Sequence, residues 1–202
     1  MISPADLAGI LESPSNWLVV SADGSSAGPL PANFAVLPGS FNPVHEGHWQ
    51  LAATAQRILA RPVLFELSVR NVDKPPLGLE DTRARLAQFH GRGAVALTCA
   101  PFFADKARLF PRTTFVVGAD TVARLLEPRY YDGEMSKMHE TLTRIHDSGC
   151  RFLVAGRKDA AGRWVALDDL AVPASFRHLF TAIAPSEFQF DVSSSQLRSS
   201  SK

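Results

Sequence analysis

The sequence predicts an α/β fold on a doubly wound parallel sheet, and three observations predict it. From Phe34 onward, short apolar runs alternate with stretches of helical periodicity. The runs, such as "AVALTCA" and "TTFVVGA", are almost unbroken in apolar residues. That pattern suits strands buried on both faces rather than the one-sided strands of a solvated antiparallel sheet. The first of these runs ends in a turn of glycine and proline. In open α/β sheets with right-handed crossovers, the carboxyl ends of the strands are where ligands are held.

The elements follow in order. "PADLAGILE" (4–12) has the pattern of a short amphipathic helix, and "SADGSSAGPLPAN" (21–33) has the composition of a loop or linker. Residues 1–33 are therefore read as an N-terminal extension or linker, and residues 34–202 as the domain proper. Strand "FAVLP" leads into helix "HWQLAATAQRILA", strand "PVLFELSV" into "LEDTRARLAQFH", and "AVALTCA" into "ADKARLF". "TTFVVGA" then precedes the helical patterns "DTVARLLE" and "ETLTRIHD", and "CRFLVAG" and "LFTAIAP" close the series. No internal repeat interrupts it.

Composition narrows the partners. A chain of 202 residues with 46% hydrophobic and 20% charged residues can bury a core as an ordinary globular protein. Its net charge of +1, without any block of Lys and Arg, argues against a nucleic-acid or membrane surface, so any phosphate binding has to be local. Two cysteines, Cys99 and Cys150, each beside an apolar segment, point to buried thiols and a reducing setting. No apolar run approaches the roughly 18 residues of a membrane span, and "MISPADLAGILESP" lacks the features of a signal peptide. The expected location is cytoplasmic.

The turn after the first predicted strand reads "PGSFNPVHEGH". Gly39 lets the backbone approach a ligand, Pro43 fixes the turn, and Gly47 removes a side chain between two histidines. His45 and His48 are three residues apart, so both can face one side of the first helical turn. Free backbone N–H groups and the positive end of the helix dipole already favour phosphate there, and imidazole N–H groups add directed bonds. The same spacing also suits a metal pair or an incidental turn; the longer string favours an anion site.

"GSFNPVHEGH" resembles the GSFxPxHxGH signature of the nucleotidylyltransferase superfamily, particularly the nicotinamide and nicotinic acid mononucleotide adenylyltransferases. "VSSSQLR" (192–198) is similar to the family's ISSTxxR pattern, and "VGAD" (117–120) to its GAD segment, in the same order along the chain. The resemblance runs from Phe34 to the C-terminus. It implies a Rossmann-like nucleotidylyltransferase fold and an enzyme that joins a nucleoside triphosphate to a phosphate monoester, releasing pyrophosphate, with Mg²⁺ on the phosphates.

The resemblance also assigns residues. It gives His45 and His48 to the triphosphate, with Gly39, Ser40, Phe41 and Gly47 in the surrounding nucleotide-binding turn. Ser193, Ser194 and Ser195 would present hydroxyls and backbone N–H groups to phosphate, and Arg198 would pair with the β or γ group. Gly118 would allow close approach, and Asp120 would accept from ribose hydroxyls or else only cap its helix. Lys74 falls where relatives carry a lysine, Arg157 where they use an arginine near the triphosphate, and one of Arg83 and Arg85 where they place an arginine on a helix. Tyr130 and Tyr131 stand in for the usual stacking tryptophan of the acceptor site. No protein metal ligand is implied. "MSK" (135–137) resembles the KMSKS loop of class I aminoacyl-tRNA synthetases, but a strand still follows it and no length remains for an anticodon-binding domain.

The resemblance thus implies an adenylyltransferase-like enzyme of NAD biosynthesis. Its partners are small-molecule nucleotide and phosphate-monoester substrates, not nucleic acid or membrane, and it is compatible with a homo-oligomer. Two alternatives stand beside it. One is the same fold with pantetheine phosphate and ATP, or a phosphorylated alcohol and CTP; the other is a nucleotide-binding sensor with weak turnover.

Overall fold

The computed structural model describes residues 2–13, 15–25, 33–70, 72, 75–159 and 161–190. Its centre is a seven-stranded sheet formed by β1 (Trp17–Val20), β2 (Ala35–Pro38), β3 (Val63–Ser68), β4 (Val95–Thr98), β5 (Thr114–Gly118), β6 (Arg151–Ala155) and β9 (Phe180–Ala182). The strand order is β1-β4-β3-β2-β5-β6-β9. All pairings are parallel except β1 with β4. From β2 the chain winds outward through β3 to β4, then returns to the other side of β2 for β5 and β6. That reversal opens a crevice between the carboxyl ends of β2 and β5.

Among the described residues, six α-helices cover the two faces. α1 (Pro4–Glu12), α2 (Glu46–Leu59) and α3 (Leu79–Ala87) pack on one; α4 (Phe103–Leu109), α5 (Ala119–Leu125) and α6 (Met135–Asp147) pack on the other. The division follows the strand period of two. Leu37, Phe65, Leu67, Leu97 and Leu153 go to the first core, while Val36, Leu64, Ala96, Phe115 and Phe152 go to the second. Each fully buried Leu or Phe contributes roughly 1.5–3 kcal/mol, so the unbroken apolar runs are what two covered faces require.

The first residues are more than a linker. Ser3 and Asp6 form a capping box that starts α1, and Ile2, Leu7 and Ile10 enter the first core. β1 then pairs antiparallel with β4 from Trp17↔Thr98 to Val20↔Val95. A four-residue strand at a sheet edge is decided by the partner it finds, which its own sequence does not display. Residues 26–32 lie outside the described residues.

After β6 a short hairpin, β7 (Arg157–Lys158) with β8 (Trp164–Val165), stands apart from the main sheet. The "MSK" stretch forms the first turn of α6 and is not a loop. Cys99 and Cys150 are free and buried, and burial raises both thiol pKa values. No described helix is long and apolar enough to cross a membrane.

Candidate active site

A cavity of about 1120 Å³ lies over the carboxyl ends of β2, β3 and β5. Its wall includes Gly39, Ser40, His45, Gly47 and His48 from the β2–α2 turn, Gly118 and Asp120 from β5 and α5, and Arg157 after β6. Tyr130 and Tyr131, in a 3-10 helical turn at Pro128–Tyr131, join the same wall. The fold therefore assembles these sequence-predicted residues in one place. Lys74, Ser193, Ser194, Ser195 and Arg198 lie outside the described residues.

The β2–α2 turn is shaped by close packing. The Gly39 amide donates to the Glu66 carbonyl at 2.9 Å, and a Cβ at Gly39 would stand 2.6 Å from Phe41 Cε1. Only glycine fits without displacing the ring. The Phe41 ring faces the core instead of the cavity: it is 1% exposed and meets His48, Phe65 and Phe89 edge-on. Any contact of Phe41 with a nucleotide falls to its backbone. At Gly47 a side chain would overlap the ring of Phe190, so this glycine admits an aromatic neighbour to the helix start.

His45 has extended backbone and caps α2, and its amide donates to Nδ1 of His48 at 3.2 Å. An amide can only donate, so His48 Nδ1 is unprotonated and the neutral ring carries its proton on Nε2. Burial, followed by the charges of His45 and Arg157, depresses the His48 pKa to about 4. The His45 pKa is also lowered, mainly by burial and secondarily by Arg157. The two imidazoles lie 3.9 Å apart between centroids, and Phe190 stacks on His45 at 5.9 Å. His45 Nδ1 is buried without a hydrogen-bond partner among the described residues. Two neutral imidazoles at a helix start are suited to donating hydrogen bonds to an anion.

Helix α3 holds the turn from outside. Gln88 accepts from the Val44 amide at 2.8 Å through Oε1 and donates to the Phe41 carbonyl at 3.1 Å through Nε2, spanning the cis Asn42–Pro43 bond. Arg85 Nη1 donates to the Ser40 carbonyl at 2.7 Å and reaches the cavity wall. Arg83 points elsewhere: its guanidinium donates twice to the Ile2 carbonyl and pairs with Glu80. Of these two arginines, Arg85 belongs to the site. Nothing in the sequence marked Gln88, which reads as an ordinary polar position on a helix.

Asp120 and Arg157 form an ion pair at 3.1 Å, and both remain substantially exposed. Helix α5 begins with Gly118 at the cap, so Asp120 lies inside the first turn and is not the cap residue. The Tyr131 hydroxyl donates to the Leu125 carbonyl at 2.8 Å, and burial pushes its pKa up to about 12. Tyr130 carries the Arg129 guanidinium 4.8 Å from its ring centroid and that of Arg124 at 5.6 Å.

The other lobe of the cavity was not anticipated. Glu66 and Ser68 of β3, with Lys106 of α4, contribute to its wall. Lys106 Nζ lies 2.7 Å from both Glu66 carboxylate oxygens, and Thr98 Oγ1 donates to Glu66 Oε1. A signal existed: Glu66 interrupts the apolar run "VLFELS", and a charge within a buried strand requires a partner.

The cytidylyltransferase-like family profile matches residues 36–200, from the second residue of β2 onward. The chain belongs to the cytidylyltransferase-like family. Membership agrees with the HxGH nucleotidylyltransferase resemblance and supports a nucleotidyltransferase activity in general. The match leaves out α1 and β1, which pack on the family core. No curated protein matches the chain closely enough to serve as a relative.

Proposed function

We propose that the protein is an adenylyltransferase that moves AMP from ATP to a phosphate monoester, with nicotinamide or nicotinic acid mononucleotide as the acceptor. The observation that carries this reading is the pair His45 and His48 at the start of α2, neutral at physiological pH and facing a cavity large enough for two nucleotides. An acceptor phosphate oxygen attacks the α-phosphorus in line. The bond from that phosphorus to the bridging oxygen breaks, and pyrophosphate leaves with the electron pair. Nothing becomes covalently attached to the protein. His48 Nε2–H and His45 then act as fixed donors to phosphate oxygens whose charge builds during transfer.

Arg157, Asp120 and Gly118 belong to the nucleotide side of this reading, as do Ser40 and the glycines of the turn. Lys74, Arg198 and the three serines 193–195 complete the phosphate contacts. Tyr130 and Tyr131 lie on the acceptor side. Among the described residues no group of three or more His, Cys, Asp or Glu is placed to hold a metal ion. In this reading Mg²⁺, held mainly by the triphosphate and water, would neutralise charge on the leaving pyrophosphate. The family's description also keeps CTP in view as the nucleotide. Pyrophosphate release should be measured with ATP and with CTP against a panel of phosphate monoesters. Release with ATP and a pyridine mononucleotide is expected; release only with CTP and a phosphorylated alcohol would overturn the adenylyl assignment.

A further inference from the structure

Residues 183–190 carry the chain from β9 to the start of α2. The Ile183 amide donates to the Val154 carbonyl at 2.8 Å, Glu187 pairs with Arg57 of α2 at 3.1 Å, and Phe188 packs against the first core. Two residues later the half-buried ring of Phe190 joins the cavity wall. It lies over Gly47, where a Cβ would overlap its Cδ1 atom. It is also parallel to the His45 imidazole, at 7° between planes and 5.9 Å between centroids.

The two histidines of the turn are held in different ways. His48 is fixed by a hydrogen bond, since its Nδ1 accepts from the His45 amide, and by the Phe41 ring edge-on at 5.2 Å. His45 has no such anchor: its Nδ1 is buried without a hydrogen-bond partner among the described residues. The terminal torsion of a histidine has broad wells, so neighbouring rings decide the plane of an imidazole that no hydrogen bond holds. Those neighbours are His48, tilted by 38° at 3.9 Å, and Phe190. Phe190 is the parallel one, at a separation within the range of offset stacking.

Resting on the phosphate-donor role given to His45 above, we propose that Phe190 is a positioning residue for the transfer: stacked on the imidazole, it holds the ring in the plane from which His45 donates to phosphate. Gly47 serves the same arrangement, because any side chain there would displace the aromatic ring. Phe190 acts through His45 and needs no contact with substrate. A donor fixed beforehand stabilises developing charge without reorganising, whereas a ring free to turn does so in only some of its orientations. The apolar ring also shields His45 from water, in line with burial as the main cause of its lowered pKa.

The test uses ATP and nicotinamide mononucleotide, or whichever pair from the panel above wild type turns over. Single-turnover pyrophosphate release, ATP affinity and melting temperature are measured for Phe190→Ala, Phe190→Leu and Phe190→Tyr, and for His45→Ala with and without Phe190→Ala. The Ala and Leu variants should each lower the rate about tenfold while ATP affinity and the melt hold; Phe190→Tyr, which keeps a planar ring, should retain the rate. In the His45→Ala background, Phe190→Ala should cost nothing further, because the residue it acts through is gone. Full additivity in that background overturns the proposal. A Leu variant as fast as wild type overturns it too, since apolar bulk would then suffice without a ring plane. A fall in ATP affinity equal to the fall in rate makes Phe190 a nucleotide contact and has the same consequence. If Phe190→Ala melts early, the Leu variant carries the comparison. If His45→Ala keeps the wild-type rate, or wild type releases pyrophosphate from no pair, the donor reading fails and this inference falls with it. A collapsed His45→Ala beside an undiminished Phe190→Ala sinks this inference alone.

Discussion

The lobe beside His48 is built around one unbroken stretch, Gly39 to His48, whose two imidazoles are neutral, and His45 Nδ1 has no partner among the described residues. The lobe beside Lys106 draws Glu66 and Ser68 from β3, Thr98 from β4 and Lys106 from α4, and its charges are satisfied within the protein. The first lobe resembles a site held ready for an anion; the polar contacts of the second hold the fold together. Substitutions should therefore act on turnover in the first lobe and on stability in the second.

The largest effect is expected at Lys106. Lys106→Met strands the Glu66 carboxylate in the interior, which typically costs about 3–5 kcal/mol of stability. Urea denaturation should show that loss, and Glu66→Gln/Lys106→Met should recover most of it, because no buried charge then remains. A midpoint unmoved in Lys106→Met would break the comparison, since both lobes would then tolerate loss of their polar groups.

Next comes His48→Ala, expected to lower turnover by about 10²–10³. The melting transition should survive nearly intact, and ATP affinity should weaken less than turnover, because the lost interaction strengthens as transfer proceeds. Single-turnover pyrophosphate release beside a thermal melt decides it. Loss of the melt, with residual rate proportional to folded protein, would make His48 a packing residue and erase the contrast with Lys106.

A smaller effect should appear in the pH dependence of stability. Burial holds the His48 pKa at about 4 in the folded protein against the ordinary 6.5, so between these values the unfolded chain binds the extra proton. Its contribution is complete above pH 6.5 and is lost as pH falls toward 4, by roughly 2–3 kcal/mol after allowance for partial exposure. Denaturation midpoints of wild type and His48→Gln, measured from pH 7 to pH 4, should converge toward the acid end. Parallel curves would show that the His48 ring is not desolvated.

The same contrast explains what could be read in advance. The sheet and its helices were legible because β2 through β6 carry nearly continuous apolar runs, and the GSFNPVHEGH turn was legible because its parts are contiguous. β1 was not, since "WLVV" becomes a strand only through pairing with β4. The Glu66–Lys106 pair was hidden for a similar reason. The residues are forty positions apart, and only the packing of α4 on β3 brings them to 2.7 Å. Phe41 belongs to the signature string, yet the positive φ of 44° and the core behind it turn its ring away from the cavity.

The finest form of the comparison lies within α3, where Arg83 and Arg85 are indistinguishable in sequence. Arg83 holds the N-terminal segment through the Ile2 carbonyl; Arg85 holds the Ser40 carbonyl at the cavity mouth. Arg83→Ala should cost about 1 kcal/mol of stability, the net value of a typical part-buried hydrogen bond, and leave the KM for ATP unchanged. Arg85→Ala removes a cation from the phosphate lobe, so it should raise the KM for ATP by roughly tenfold while the melting temperature barely moves. Steady-state kinetics and thermal melts of the two variants, taken together, check both halves. If the two arginines exchanged roles, with Arg83→Ala raising the KM, α3 would have to present its other face to the turn. The Gln88 bridge from Val44 to Phe41 fixes the face that it presents.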